Sequence, residues 1–134
     1  MRKYAREVAF SKIYEFIMNC DGNAAEDFEL FEEKNLDESD KRYVADIYTG
    51  VVGHFPQLSG TVSQYAKGFK LERVYKTDLA ALTLALYEMD YTDTPQAVCV
   101  NEATEIAKKY SSEKSSGFVN GLLAGYIKDK SEKN

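Results

Sequence analysis

The stretch Thr77-Asp78-Leu79-Ala80-Ala81-Leu82-Thr83-Leu84-Ala85-Leu86-Tyr87-Glu88-Met89 is the most apolar in the chain. Leu79, Leu82, Leu86 and Met89 recur at steps of three and four, the period of one helix face. Thr77 or Asp78 supplies an N-cap, because a short side-chain oxygen there accepts from an otherwise unpaired backbone N–H. The spacing predicts a central core helix, and the rest of the chain reads outward from it as an all-α fold.

Towards the amino terminus, Phe55-Pro56 opens a helix with Leu58, Val62 and Tyr65 on one stripe, and Gly68 closes it. Before it, Ser39 or Asp40 caps a helix through Val44, Ile47, Tyr48 and Val51 that ends or bends at Gly53. An acidic helix covers about 24–33, with Phe28 and Phe31 turned inward. The first helix runs from about Lys3 to Asn19, where Ala5, Ala9, Ile13 and Ile17 fall four apart beside Val8 and Phe16. Towards the carboxyl terminus, Thr94-Pro95 opens a helix through Val98, Glu102, Ile106 and Ala107. Proline suits a first turn because the N–H it lacks has no helical partner there. A last helix carries Phe118, Val119, Leu122, Leu123 and Tyr126. The reading is about seven helices in one domain over 1–130, with 131–134 as a charged tail expected to fray.

Composition agrees. Among 134 residues there are only 2 prolines and 8 glycines, which favours helices over a turn-rich β fold, and 44 % hydrophobic residues suffice for a core. Cys20 and Cys99 fit no metal spacing and read as two packed, reduced thiols. No run approaches a membrane span, and no signal peptide is visible, so the expected compartment is the cytoplasm. Net charge is −5, which argues against general nucleic-acid binding, yet the charge is polarised. Arg2, Lys3, Arg6 and Lys12 stand against Glu7 alone in the first twelve residues, whereas Asp21 to Asp40 holds nine acids and one base. A local basic patch on an acidic body suits a short, specific contact with RNA.

Catalytic chemistry has no candidate. His54 is the single histidine and sits at a predicted helix end, as a capping or surface residue does. No phosphate loop, dinucleotide fingerprint, HExxH or serine elbow occurs. Adjacent acids such as Glu32 and Glu33 point apart on a helix and form a solvated face. No enzyme activity, metal or cofactor is expected.

Three stretches carry more than composition. They are Ala5-Arg6-Glu7-x-Ala9 continuing to Ile13-Tyr14, then Leu82-x-Leu84-Ala85-Leu86-Tyr87-Glu88, and then Pro95 to Asn101-Glu102-Ala103-x-Glu105-Ile106-Ala107-Lys108-Lys109-Tyr110 followed by Phe118-Val119-Asn120-Gly121-Leu122-Leu123. In order and spacing they resemble the NusB family along the whole chain. The resemblance implies two packed three-helix lobes. It also implies binding of boxA-type single-stranded RNA together with NusE, a ribosomal small-subunit protein, within the RNA polymerase antitermination complex on ribosomal RNA operons. A scaffold of the same fold with weak or no RNA binding is the alternative.

The same resemblance assigns residues. Arg2, Lys3 and Arg6 match the family's basic arm, where guanidinium and ammonium groups suit phosphates. Tyr14 lies off the apolar stripe and matches an aromatic that stacks on a base. Tyr65 matches a position near RNA. Lys114, Ser115 and Ser116 stand where the last helix begins and its N–H groups favour an anion, with a serine as the cap, and Phe118 matches a nearby aromatic. Asp78 matches an acidic position facing NusE. Asn101 and Asn120 are expected to satisfy buried backbone groups, and Gly121 to admit a close neighbouring helix.

Overall fold

The computed structural model describes residues 2–20, 36–68 and 70–133, and these fold into helices alone. In chain order they are α1 (Arg2–Cys20), α2 (Glu38–Gly53), α3 (Phe55–Tyr65), a single 3₁₀ turn (Leu71–Arg73), α4 (Lys76–Tyr91), α5 (Gln96–Tyr110) and α6 (Glu113–Lys133). The acidic helix expected at 24–33 lies outside the described residues.

The apolar run around Leu82 becomes α4, which packs against α1, α2, α3, α5 and α6. Asp78 through Leu86 are all buried, so this helix is enclosed on every side rather than along one stripe. Thr83 lies within it because its hydroxyl donates back to the carbonyls of Leu79 at 2.9 Å and Ala80 at 3.2 Å. Around α4 stand two groups. One is α4 itself with α5 and α6; the other is the pair α1 and α2, with α3 reaching both.

Two caps differ from expectation. The carboxylate of Asp37, not Ser39 or Asp40, caps α2 by accepting from the Asp40 N–H at 2.8 Å. The helix starts earlier than its apolar pattern: Glu38 and Ser39 are exposed in its first turn, and Asp40 is buried there against Arg2. At α4 the cap position is Tyr75, without a side-chain bond, and Asp78 is inside the helix. Pattern alone places a cap at the last polar residue before the apolar run, and that rule fails where a polar residue is itself buried.

His54 is the joint between α2 and α3: its N–H bonds the carbonyl of Gly50 at 3.0 Å, and its Nδ1 donates to the same oxygen at 2.9 Å. Gly68 turns the chain after α3 with φ of 81°, a left-handed conformation that favours glycine. Cys99 is buried, and burial pushes its thiol up to about 11, an unreactive state. Cys20 is exposed, so only one of the two thiols is packed. Asn101 and Asn120 are also exposed and do not serve buried backbone. The last helix runs on through Lys133, across most of the expected tail.

Candidate functional site

The basic arm is the first turns of α1. Ala5, Arg6, Glu7, Val8, Ala9 and Phe10 are buried in succession, and successive helical residues point about 100° apart. This part of α1 is therefore surrounded, and its charged residues need partners inside the protein.

Arg6 has such a partner. Its guanidinium donates to both carboxylate oxygens of Glu88 on α4, at 2.9 and 3.2 Å. The same carboxylate accepts from the Tyr43 hydroxyl at 2.6 Å and from Thr94 at 3.1 Å. Burial and the Glu88 charge hold the Tyr43 hydroxyl well above the usual tyrosine range. Arg6 is 8 % exposed, so the expected phosphate contact does not fit this residue; it is a structural cation. Nothing in the spacing distinguishes it from Arg2. The signal is Glu88, an acid within an apolar helix that requires a cation.

Arg2 and Lys3 are at the surface and are also paired. Arg2 Nε lies 3.1 Å from Asp40, and its guanidinium covers the Tyr43 ring at 4.3 Å from the centroid. Lys3 Nζ meets Glu105 at 2.6 Å. The exposed Lys3–Glu105 pair is weak, ~0–1 kcal/mol, and exchanges readily for another anion, whereas Arg2 is held on a buried carboxylate. Tyr14 is half-buried against the core edge, off the buried stripe of α1.

The second cluster is the start of α6. Ser112, rather than Ser115 or Ser116, is the cap, since its hydroxyl accepts the Ser115 N–H at 3.0 Å. Ser115 is buried. Its hydroxyl donates to Asp78 Oδ2 at 3.0 Å and shares a hydrogen bond with Ser111 at 2.8 Å, so it faces inward and is not a phosphate contact. Ser116 is half-buried, with its N–H on the Ser112 carbonyl. Lys114 is exposed, and Phe118 is half-buried on the next turn.

Between α6 and the chain before α4 lies a cavity of about 440 Å³, walled by Arg73, Tyr75, Lys114 and Phe118 with Asp78 among its lining. Asp78 is 3 % exposed, and its Oδ1 has no hydrogen-bond partner among the described residues. Burial raises the Asp78 carboxyl above its ordinary range, and the Ser115 hydroxyl opposes that rise. Tyr65 sits in the wall of a neighbouring hollow of about 300 Å³ that also contains Phe118; its hydroxyl donates to Asp129 at 2.7 Å. Arg73 and Tyr75 were not singled out in the sequence, although the base-rich run through Lys67, Lys70, Arg73 and Lys76 is a visible signal.

The two clusters are linked through the end of α5. Glu7 of α1 accepts from Lys109 and from the Tyr110 hydroxyl, both at 2.7 Å, and Phe10 stacks on Tyr110 at 5.5 Å. Tyr110 closes α5 immediately before the loop into α6, so the arm and the α6 start are one connection apart.

The profile of the NusB family matches residues 3–128. The chain belongs to the NusB family. It is 39 % identical over 130 residues to the transcription antitermination protein NusB of Acetivibrio thermocellus, covering 96 % of this chain and 90 % of that one. The NusB of Ruminiclostridium cellulolyticum is 40 % identical over 125 residues, covering 92 % and 86 %. Among solved structures, Thermotoga maritima NusB superposes with a TM-score of 0.82 at 28 % identity, over 96 % of this chain and 91 % of that chain. A chain in the crystal structure of the antitermination factors NusB and NusE in complex with double-stranded RNA superposes at 0.77, with 25 % identity over 96 % of each chain. The family resemblance read from the three sequence stretches and the all-helical NusB fold both hold. As a NusB-family member the chain is a transcription antitermination factor and not an enzyme. No helix among the described residues is long and apolar enough to cross a membrane.

Proposed function

We propose that this chain is an RNA-binding adaptor that takes boxA-type single-stranded RNA together with NusE and so supports RNA polymerase elongation through ribosomal RNA operons. The observation that carries the reading is the α6 start, where an exposed lysine, Lys114, stands one turn from Phe118 at the mouth of a cavity. A cation for phosphate beside a ring for base stacking is the minimum equipment for a single strand. A similar fold in a complex of NusB, NusE and double-stranded RNA supports the coarser part of this reading, RNA and NusE as partners.

Within this proposal Lys114, Lys3 and Arg2 meet phosphates, Phe118 and Tyr14 stack on bases, and Tyr65 and Ser116 flank the strand. Arg6 and Ser115 act from inside, holding α1 on α4 and α6 on α4. Asp78, also buried, serves the NusE contact from behind, holding Ser115 and the α6 start in the cavity wall that the partner meets.

The pairing of every basic residue in the first turns of α1 with an acid favours one second reading, a scaffold of the same fold that works by protein contacts. Salt separates the two, because phosphate contacts release counterions on binding. Lys114→Glu is expected to weaken boxA RNA and flatten the salt dependence. Phe118→Ala and Tyr14→Ala are expected to weaken it with the slope unchanged, since stacking releases no ions. Three variants that bind RNA as the parent protein does would favour the scaffold.

A further inference from the structure

While the bases of the arm are matched by acids, another set is not. Lys67, Lys70, Arg73 and Lys114 are all exposed, and none makes a side-chain hydrogen bond or ion pair with the described residues. Three of them converge. Arg73 and Lys114 line the larger cavity, Lys67 lines the smaller hollow, and Phe118 belongs to the walls of both. Lys70 lies in the chain between Lys67 and Arg73, where Glu72 is the one acid from Lys67 to Lys76. Tyr75, in the wall of the larger cavity, is 68 % exposed, a large ring left open to solvent.

The floor of the smaller hollow is unusual too. Gly117, Gly121 and Gly125 stand one turn apart on α6. A Cβ added at Gly117 or Gly121 would meet nothing within 4 Å, and one at Gly125 would meet only Tyr65 Cδ1, at 3.8 Å. The close helix expected against Gly121 is not there. Glycine weakens a helix interior, and nothing inside this fold requires it at these positions. What the glycines provide is clearance on the outside, over bare helix backbone beside two rings and several unneutralised cations.

The geometry points to a second RNA-contacting surface, in which Lys67, Lys70 and Arg73 take phosphates, Phe118 and Tyr75 offer rings, and the glycine stripe of α6 is the floor along which a single strand continues from the α6 start. It rests on the RNA-binding reading above and extends the path to residues that reading does not use. On a chain of net charge −5, unpaired cations concentrated on one face select a polyanion. The open Tyr75 ring and the bare floor favour nucleotides over an acidic peptide, which would use the cations alone.

The test uses the intact protein and two probes, a boxA-type RNA oligonucleotide and the same oligonucleotide with uridine tails at both ends. The tails are expected to strengthen binding several-fold. The variant Lys67→Glu/Lys70→Glu/Arg73→Glu is expected to lose that gain, with the salt slope for tailed RNA shallower by about 2, from three phosphates at ~0.7 each. The glutamine version of the triple is expected to lose less affinity with the same change of slope. Gly121→Leu fills open space, so it is expected to weaken tailed RNA without touching the slope. The surface is overturned if tails add nothing to wild-type binding, or if the triple variants keep wild-type affinity and slope for tailed RNA. It is also overturned if they keep that affinity while losing a polyglutamate peptide that the wild type binds, which would assign the face to an acidic protein. In all these cases untailed boxA RNA still binds; if the wild type binds neither RNA, the RNA-binding reading falls as well.

Discussion

Arg6 and Glu88, 82 positions apart in the chain, meet through two hydrogen bonds of 2.9 and 3.2 Å, with Arg6 8 % exposed and Glu88 2 %. The pair joins α1 to α4, and Tyr43 and Thr94 occupy further sites on the same carboxylate. Removing one partner leaves a charge buried alone, which costs ~3–5 kcal/mol, whereas replacing both with apolar residues of similar volume is often close to neutral. Glu88→Ala is therefore expected to cost that much in urea unfolding, and Arg6→Met/Glu88→Leu to recover most of it. Equal losses in the single and double variants would contradict the pairing.

The enclosed helix α4 makes its own prediction. Leu82 and Leu86 are 0 % and 1 % exposed, so Leu→Ala at either is expected to cost ~2–5 kcal/mol. A loss under ~1 kcal/mol at both sites would show that the core lies elsewhere.

Two glycines are expected to respond in opposite directions. A Cβ on Gly50 would fall on the Tyr87 ring, so Gly50→Ala is expected to destabilise by ~1–3 kcal/mol. A Cβ on Gly121 meets open space in mid-helix, so Gly121→Ala is expected to stabilise by ~0.5–1 kcal/mol. Thermal unfolding of both variants checks the pair, and the same sign for both would contradict the packing described.

Asp78 links stability to pH. Burial raises its carboxyl pKa in the folded state, so the folded protein releases that proton less readily than the unfolded chain. Its favourable contribution is complete below the unfolded value of about 3.9 and is lost as pH rises through the folded value. Asp78→Asn keeps the shape and an acceptor for Ser115 without the ionisation. The variant is expected to gain on the parent protein in urea midpoints as pH rises above about 4, the unfolded value. A parent advantage that grows with pH would contradict the account.

The helices were legible from the sequence wherever a face was one-sided. Val44, Ile47 and Val51 on α2 and Leu58 and Val62 on α3 are buried as their spacing predicts. The reading failed where a helix is enclosed. A period marks which face is apolar, but it does not report that Arg6, Asp78 and Ser115 are turned into the protein. Their partners, Glu88 for Arg6 and Asp78 for Ser115, lie on another helix, and the partner of an internal charge is a long-range fact that no local pattern carries. The exposure of Lys114 was legible because it stands at a helix start, where exposure follows from local geometry; Phe118, one turn further on, is half-buried. Lys67, Lys70 and Arg73 stood in the sequence as a plain base-rich run, and only the fold brings that run beside Phe118.

The central claim is recognition of boxA-type RNA with NusE, and one titration tests it most directly. The protein is titrated against boxA RNA and a scrambled oligonucleotide at several salt concentrations, with and without NusE. The account predicts tighter binding of boxA than of the scrambled strand, a further gain for boxA when NusE is present, and affinity that falls linearly with log salt concentration. Equal, salt-insensitive binding of the two strands, unchanged by NusE, would contradict it.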